Sequence, residues 1–241
     1  MGTQGTFGYI IGKKKRMMHV QYDADLLWQI LVREIYVLMK HYGSKEEMQK
    51  AFEWIKTTKN KPKDSDVEKL KIFTDFTVAN ENESDWYCLL RHCQNSFINI
   101  LEAGYIINQK DEYGLVFLLD FNKGSVSYYG KNYDKTITNL ETATIEEIME
   151  FDDMPTKTYT EIVSEMRDRF EKYDKKINMV DEEIRKINDI IKKAKEMGGD
   201  QNIIQKAKVL LADMEWQHKK LELDYRYFYH RMDALNLISH D

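Results

Sequence analysis

At 241 residues, with 42% hydrophobic and 32% charged side chains, the chain can build one large domain or two small ones and is not expected to be disordered. A mild net charge of -5 with mixed signs argues against a general nucleic-acid binder, which needs a basic face. No apolar run approaches the ~20 residues of a membrane span and no secretory signal opens the chain, so a cytoplasmic protein without membrane partners is expected.

In chain order, Thr6–Ile11 and Met17–Tyr22 read as strands of a β-hairpin joined by Gly12 and the following lysines. Asp23 or Asp25 is expected to cap a helix that carries Leu27, Ile30, Leu31, Ile35 and Leu38 at helical spacing and stops at Gly43. Ser44 caps a second helix with Met48, Phe52 and Ile55 turned inward, and residues 58–66 and 79–83 read as polar loops. Ser84 is expected to cap one helix over 85–103, ended by Gly104. Three further strands follow, at Tyr105–Ile107, Leu115–Leu119 and Ser125–Tyr129, with a tight turn at Phe121–Gly124. Residues 144–150 read as a short helix. The pattern predicts an α+β fold with a mainly antiparallel sheet and packed helices over residues 1–155.

Residues 156–241 carry a different period. Apolar positions run Met166, Phe170, Tyr173, Ile177, Val180, Ile184, Ile187, Ile191 and Ala194, alternating steps of four and three. After Met197-Gly198-Gly199-Asp200 the same alternation resumes at Ile204, Ala207, Leu211, Met214, His218, Leu221, Tyr225, Phe228, Met232 and Leu235. Folding at Gly199 sets Ala194 opposite Ile204, Ile187 opposite Leu211, Val180 opposite His218 and Met166 opposite Met232. A long antiparallel coiled-coil hairpin is therefore expected. Its seam buries too little to hold it alone, and Trp216, Tyr227 and Tyr229 lie off the seam and need a partner, either the N-terminal domain or a second copy of the hairpin; the second is preferred, and a homo-oligomer through this region is expected. His218 in the seam reads as a satisfied histidine that fixes register, with pH switching as the other reading.

Chemistry is harder to find. Cys88 and Cys93 stand five apart, a poor geometry for a disulfide and too few residues for zinc, so free thiols in a reducing compartment are expected. No dinucleotide or P-loop pattern, metal set or nucleophile elbow is present, and neither metal nor cofactor is expected. Gly2, Gly5 and Gly8 at three-residue spacing could cradle phosphate, but they precede the first strand rather than follow it. Cys88 and His92 could touch across one helical face, against the plainer reading of a buried structural thiol. Met1–Thr6 fits the loose myristoylation template, with Lys13–Arg16 as a basic second signal; the plainer reading of those lysines is a solvated turn. The best polar–aromatic cluster is Tyr22-Asp23 with Asp85, Trp86, Tyr87, Arg91 and Gln94, a set suited to a polar planar ligand. The plainer reading places Trp86 in the core and Asp85 at a helix cap.

The opening Met1-Gly2-Thr3-Gln4-Gly5-Thr6-Phe7-Gly8-Tyr9, the Tyr22-Asp23 pair, Asp85-Trp86-Tyr87-Cys88-Leu89-Leu90-Arg91 with Gln94, Gly104–Ile107 and Leu118-Leu119-Asp120 resemble an uncharacterised family of phages and large DNA viruses whose members open Met-Gly-Thr-Arg-Gly. The resemblance spans about residues 1–130. Gln4 stands where the family has Arg, and the Pro and Gly that usually follow the Tyr-Asp pair are missing. The glycine-led strand and hairpin also look like the start of N-terminal-nucleophile hydrolases, which need Cys, Ser or Thr first; here Gly2 would be exposed, and Thr3 only after a further cut. The polar–aromatic cluster without a catalytic set, joined to a helical assembly element, leads to the expectation of a non-enzymatic viral or phage protein that binds a small polar ligand, with a nucleotide-derived signal as one candidate, or a host protein. Gln4, Tyr22, Asp23, Asp85, Trp86, Tyr87, Arg91 and Gln94 are its expected ligand residues. The alternatives are an amidohydrolase or phosphodiesterase using Thr3, His19, Asp23 or Cys88, and a coiled-coil scaffold.

Overall fold

The computed structural model describes residues 3–58, 60–75, 85–132, 136–198 and 201–230, with side chains through Leu223. The expectations for Gly2, Ser84, residues 79–83 and the fold point at Gly199 lie outside the described residues, as do those for the hairpin side chains beyond Leu223.

Strands β1 (Gly5–Ile11) and β2 (Lys14–Val20) pair antiparallel across a two-residue turn. That turn needs a left-handed residue, which Gly12 supplies at φ 57. Helix α1 (Leu27–Tyr42) buries the five expected aliphatic residues and ends at Gly43, φ 77. Neither Asp23 nor Asp25 caps it. A tight helical turn over Ala24–Leu26 intervenes, Asp23 takes φ 59, and the Ala24 N–H donates to the Thr3 carbonyl at 3.0 Å. Helix α2 (Lys45–Glu53) is capped by Ser44, whose hydroxyl accepts from the Glu47 N–H.

The segment read as a polar loop over 58–66 gives way at Asp64 to helix α3 (Asp64–Leu70), because the Asp66 carboxylate accepts from the Lys63 N–H and closes the first turn. It is preceded by the short strand β3 (Lys56–Thr57). The single helix expected over 85–103 is broken. Helix α4 (Trp86–Leu89) yields to a tight turn at Arg91–Cys93, and α5 (Phe97–Ala103) starts afresh at Ser96. The cause is distant in sequence: Glu34 of α1 accepts from the Ser96 hydroxyl and the Phe97 N–H, both at 2.5 Å, and creates a helix start where one continuous helix was expected.

Strand β4 (Tyr105–Ile106) pairs parallel with β3. Strands β5 (Gly114–Asp120), β6 (Ser125–Lys131) and β7 (Ile137–Thr144) complete a five-stranded sheet ordered β2-β1-β5-β6-β7. Only the β1–β5 pair in that sheet is parallel. Strand β7 was not anticipated. It is an edge strand with both faces exposed, so it has no apolar alternation to betray it. A short helix, α6 (Ile145–Ile148), follows with Thr144 and Glu147 as a reciprocal cap.

The helices cover one sheet face through rings. Phe7, Phe52, Phe97, Phe117 and Phe121 form a chain of contacts with centroids 5.2–6.2 Å apart, and Tyr9 meets Phe52 edge-on at 4.9 Å. The opposite face holds a smaller cluster of Met17, Val116, Leu118 and Tyr129. Across it the Glu112 carboxylate ties Lys15, Lys131 and the Tyr129 hydroxyl together. Burial raises the Glu112 carboxyl, but these hydrogen bonds outweigh it and take the group down to about 2.

Helices α7 (Tyr159–Glu196) and α8 (Gln201–His230) form the antiparallel hairpin. Ile187, Ile191 and Ile204 are buried, with Ala194, Ala207, Leu211 and Met214 against them, which is the expected seam near the turn. Gly198 is left-handed at φ 66, in the role of C-terminal cap. His218 is half-buried, its Nε2 3.2 Å from Asp181, one residue past the Val180 position assigned opposite it. The fold is thus α+β with a long helical hairpin. It divides into a compact unit through Val163 and a second from Ser164. No described helix is long and apolar enough to cross a membrane.

Candidate functional site

The expected ligand residues are not all gathered in one place. Gln4 is exposed at the start of β1, and its carbonyl accepts from the Leu115 N–H. Asp85 accepts from the Tyr87 N–H as the cap of α4, and the Tyr87 ring is exposed. Trp86 is committed to structure. Its indole N–H donates to the Asn60 carbonyl at 2.5 Å and its ring packs on Tyr105 at 4.9 Å. Gln94 is buried, with no hydrogen-bond partner for its amide nitrogen among the described residues. The break at residues 91–96 removes the regular helical face on which Tyr87, Arg91 and Gln94 were aligned. Cys88 lies half-buried in α4, while His92 is buried in the turn. Cys93 is a free thiol pushed well up by burial and by Glu34.

Tyr22 and Arg91 do meet, with the guanidinium 5.7 Å from the ring centroid. His19, on β2, adds to this end of the sheet. Its Nε2 meets the Tyr113 hydroxyl at 3.1 Å and its Nδ1 faces the Gly5 carbonyl at 3.3 Å. Burial, then the Arg91 charge, holds the imidazole below its ordinary pKa, so the neutral ring accepts from Tyr113.

The glycines of β1 serve packing rather than phosphate. A Cβ on Gly5 would stand 2.1 Å from the Leu115 carbonyl oxygen, and one on Gly8 2.0 Å from that of Arg16. Both positions are closed to any side chain.

The cleft lies at the other end of β2. It has a volume of about 550 Å³ and is lined by Tyr9, Ile11, Gly12, Lys13, Lys14, Arg16, Phe52 and Glu53. Side chains of β2 alternate between the two faces, so Lys14 and Arg16 share a side with the buried Met18 and Val20, while Lys15 projects to Glu112. Lys13 and Lys14 have no carboxylate partner among the described residues. Arg16 is anchored by one nitrogen. Its Nη1 donates to the Tyr9 hydroxyl at 3.1 Å and to the Ile55 carbonyl. Tyr9 in turn donates to the Phe52 carbonyl at 3.2 Å, and burial pushes its phenol up to about 12 against the pull of Arg16. The phenol therefore stays neutral, and the guanidinium is fixed through Nη1, with no further hydrogen bond from its other nitrogens among the described residues. The rim is rigid as well. Asn122 accepts from the Gly12 N–H at 2.8 Å and donates to the Gly12 carbonyl at 2.9 Å.

By sequence, Lys13–Arg16 offers a basic membrane signal and Gly12–Lys15, more plainly, a solvated turn. Strand parity was the signal that separates Lys14 and Arg16 from Lys15. Among the described residues no three His, Cys, Asp or Glu side chains could together hold a metal ion. No protein-family model, curated protein or solved structure matches the chain.

Proposed function

We propose that the protein is a binding module that takes a small anionic, phosphate-bearing ligand of the nucleotide class into the cleft between the β1–β2 hairpin and α2. The observation that carries this reading is the cleft itself: three cations, Lys13, Lys14 and Arg16, against the single carboxylate of Glu53, with the Tyr9 and Phe52 rings buried beneath them. Its volume lies within the ~300–1,000 Å³ of small-ligand sites, which typically join an apolar surface to a few fixed polar groups. Lysines without a carboxylate partner beside a tethered arginine suit phosphate.

Calorimetric titration with ATP, GMP and a cyclic dinucleotide, with adenosine as the uncharged control, tests it. Binding is expected for at least one phosphate-bearing compound and not for adenosine. Reversing both lysines in Lys13→Glu/Lys14→Glu is expected to weaken it by about 100-fold, since each cation near phosphate contributes about 1–2 kcal/mol. Equal affinity of wild type and double variant, or no binding across the panel, defeats the reading.

A hydrolase is the second reading, favoured by the neutral His19 between Tyr113 and Gly5. It would show as release of product from the same nucleotides, lost in His19→Ala.

A further inference from the structure

Besides its inner seam, α8 carries a second heptad stripe on the side away from α7. Gln205, Val209, Ala212, Trp216, Lys219 and Leu223 follow at steps of four and three, and all six are exposed. Val209 is 64% exposed, Trp216 61% and Leu223 48%, too much apolar surface at one regular spacing for a helix face facing only water. Lys220 lies over the Trp216 ring at 5.5 Å and covers one side of it.

We infer that this stripe is a self-association surface and that its occupant is the α8 stripe of a second copy, packed antiparallel about a two-fold axis between positions 210 and 211. The flanking charges choose that register. It sets Val209 against the partner's Ala212 and Trp216 against the partner's Gln205. Lys206 then lies beside Asp213 of the second copy and Lys208 beside its Glu215, each pair formed twice by symmetry. Sliding the copies by one heptad sets Asp213 against itself and Glu215 against itself. Parallel packing stacks Lys219 on Lys219 in the seam. Only the chosen arrangement gives each of Lys206, Lys208, Asp213 and Glu215 a partner of opposite sign and keeps the seam free of facing charges. All four flanking residues are exposed, so the reversals below do not disturb the core.

Sedimentation velocity on the full chain over about 1–100 μM tests this, with circular dichroism to verify helix content. Wild type is expected to dimerise within that range and Trp216→Glu to remain monomeric. Lys208→Glu or Glu215→Lys alone should raise the dissociation constant about tenfold, because each reversal turns two attractive pairs repulsive. Lys208→Glu/Glu215→Lys should return it to within about threefold of wild type. In a parallel dimer Lys208 faces Asp213 instead and the double variant stays weak, which overturns the register. A wild type that is monomeric throughout, or a Trp216→Glu variant that still dimerises, overturns the surface.

Discussion

The two faces of the five-stranded sheet are closed by different physics. On the helical side, six rings from β1, α2, α5, β5 and the turn after β5 interlock, and the buried carboxylate of Glu34 accepts from the neutral Ser96 hydroxyl and Phe97 N–H. On the other side the apolar cluster is small, and Glu112 sits between two lysines. Burial opposes ionisation in both carboxylates. Glu34 is pushed up to about 7, while Glu112 is drawn down to about 2 by the cations and the phenol that reach it. Depth alone therefore does not set the charge of a buried acid in this protein; the sign of the nearest donor does.

If rings carry the first face, removing the central one should be the costliest change in the sheet. Phe97 touches Phe7, Phe52 and Phe117 and is fully buried. Phe97→Ala is expected to lose about 4 kcal/mol in urea-induced unfolding, from the transfer term plus an unfilled cavity. A loss below about 1 kcal/mol would mean that the ring chain is dispensable and that the two faces are more alike than their composition implies.

Glu34 gives the second test. Its folded pKa lies above the unfolded value, so between about pH 4.5 and 7 the folded state binds more protons and stability must fall as pH rises. The change across that window is about 3 kcal/mol at most. In Glu34→Gln the slope should vanish, whatever the absolute stability, and denaturant midpoints at pH 4.5 and 7 would read it directly. An unchanged slope in the variant would assign the titration to another group.

How much of this was legible in the residues depends on how local each cause is. The hairpin seam was readable because a heptad needs only its own periodicity, and Ile187, Ile191 and Ile204 lie where that period puts them. The strands of the hairpin and the β5–β6 turn were readable from alternation and from Gly12 and Gly124. The break in the 85–103 helix was not, because the group that makes it, Glu34, lies 62 residues from Ser96. Tyr22 and Arg91 could be grouped by residue type, yet nothing local told that Trp86 would be spent on Asn60 and Tyr105. The cleft was hidden for a simpler reason. Four cations in a row look like one solvated feature until strand parity sends Lys15 to Glu112 and leaves Lys14 and Arg16 on the other side.

The opposite face predicts the smallest effect and the opposite sign. Glu112 titrates below its unfolded value, so its contribution is present above about pH 4.5 and disappears as pH falls toward 2. Lys15 remains 41% exposed and Lys131 24%, and solvent screening limits what the pairs contribute. Glu112→Gln is therefore expected to cost only about 1 kcal/mol at pH 7, a loss that shrinks with added salt and is absent at pH 2. The variant keeps an acceptor for Tyr129 but offers the two lysines no charge. Acid unfolding of wild type and variant should then converge at low pH, whereas Glu34→Gln should differ from wild type only on the neutral side. If both variants altered the same limb of the pH profile, the two carboxylates would be responding to one shared field rather than to the separate donors that each face supplies.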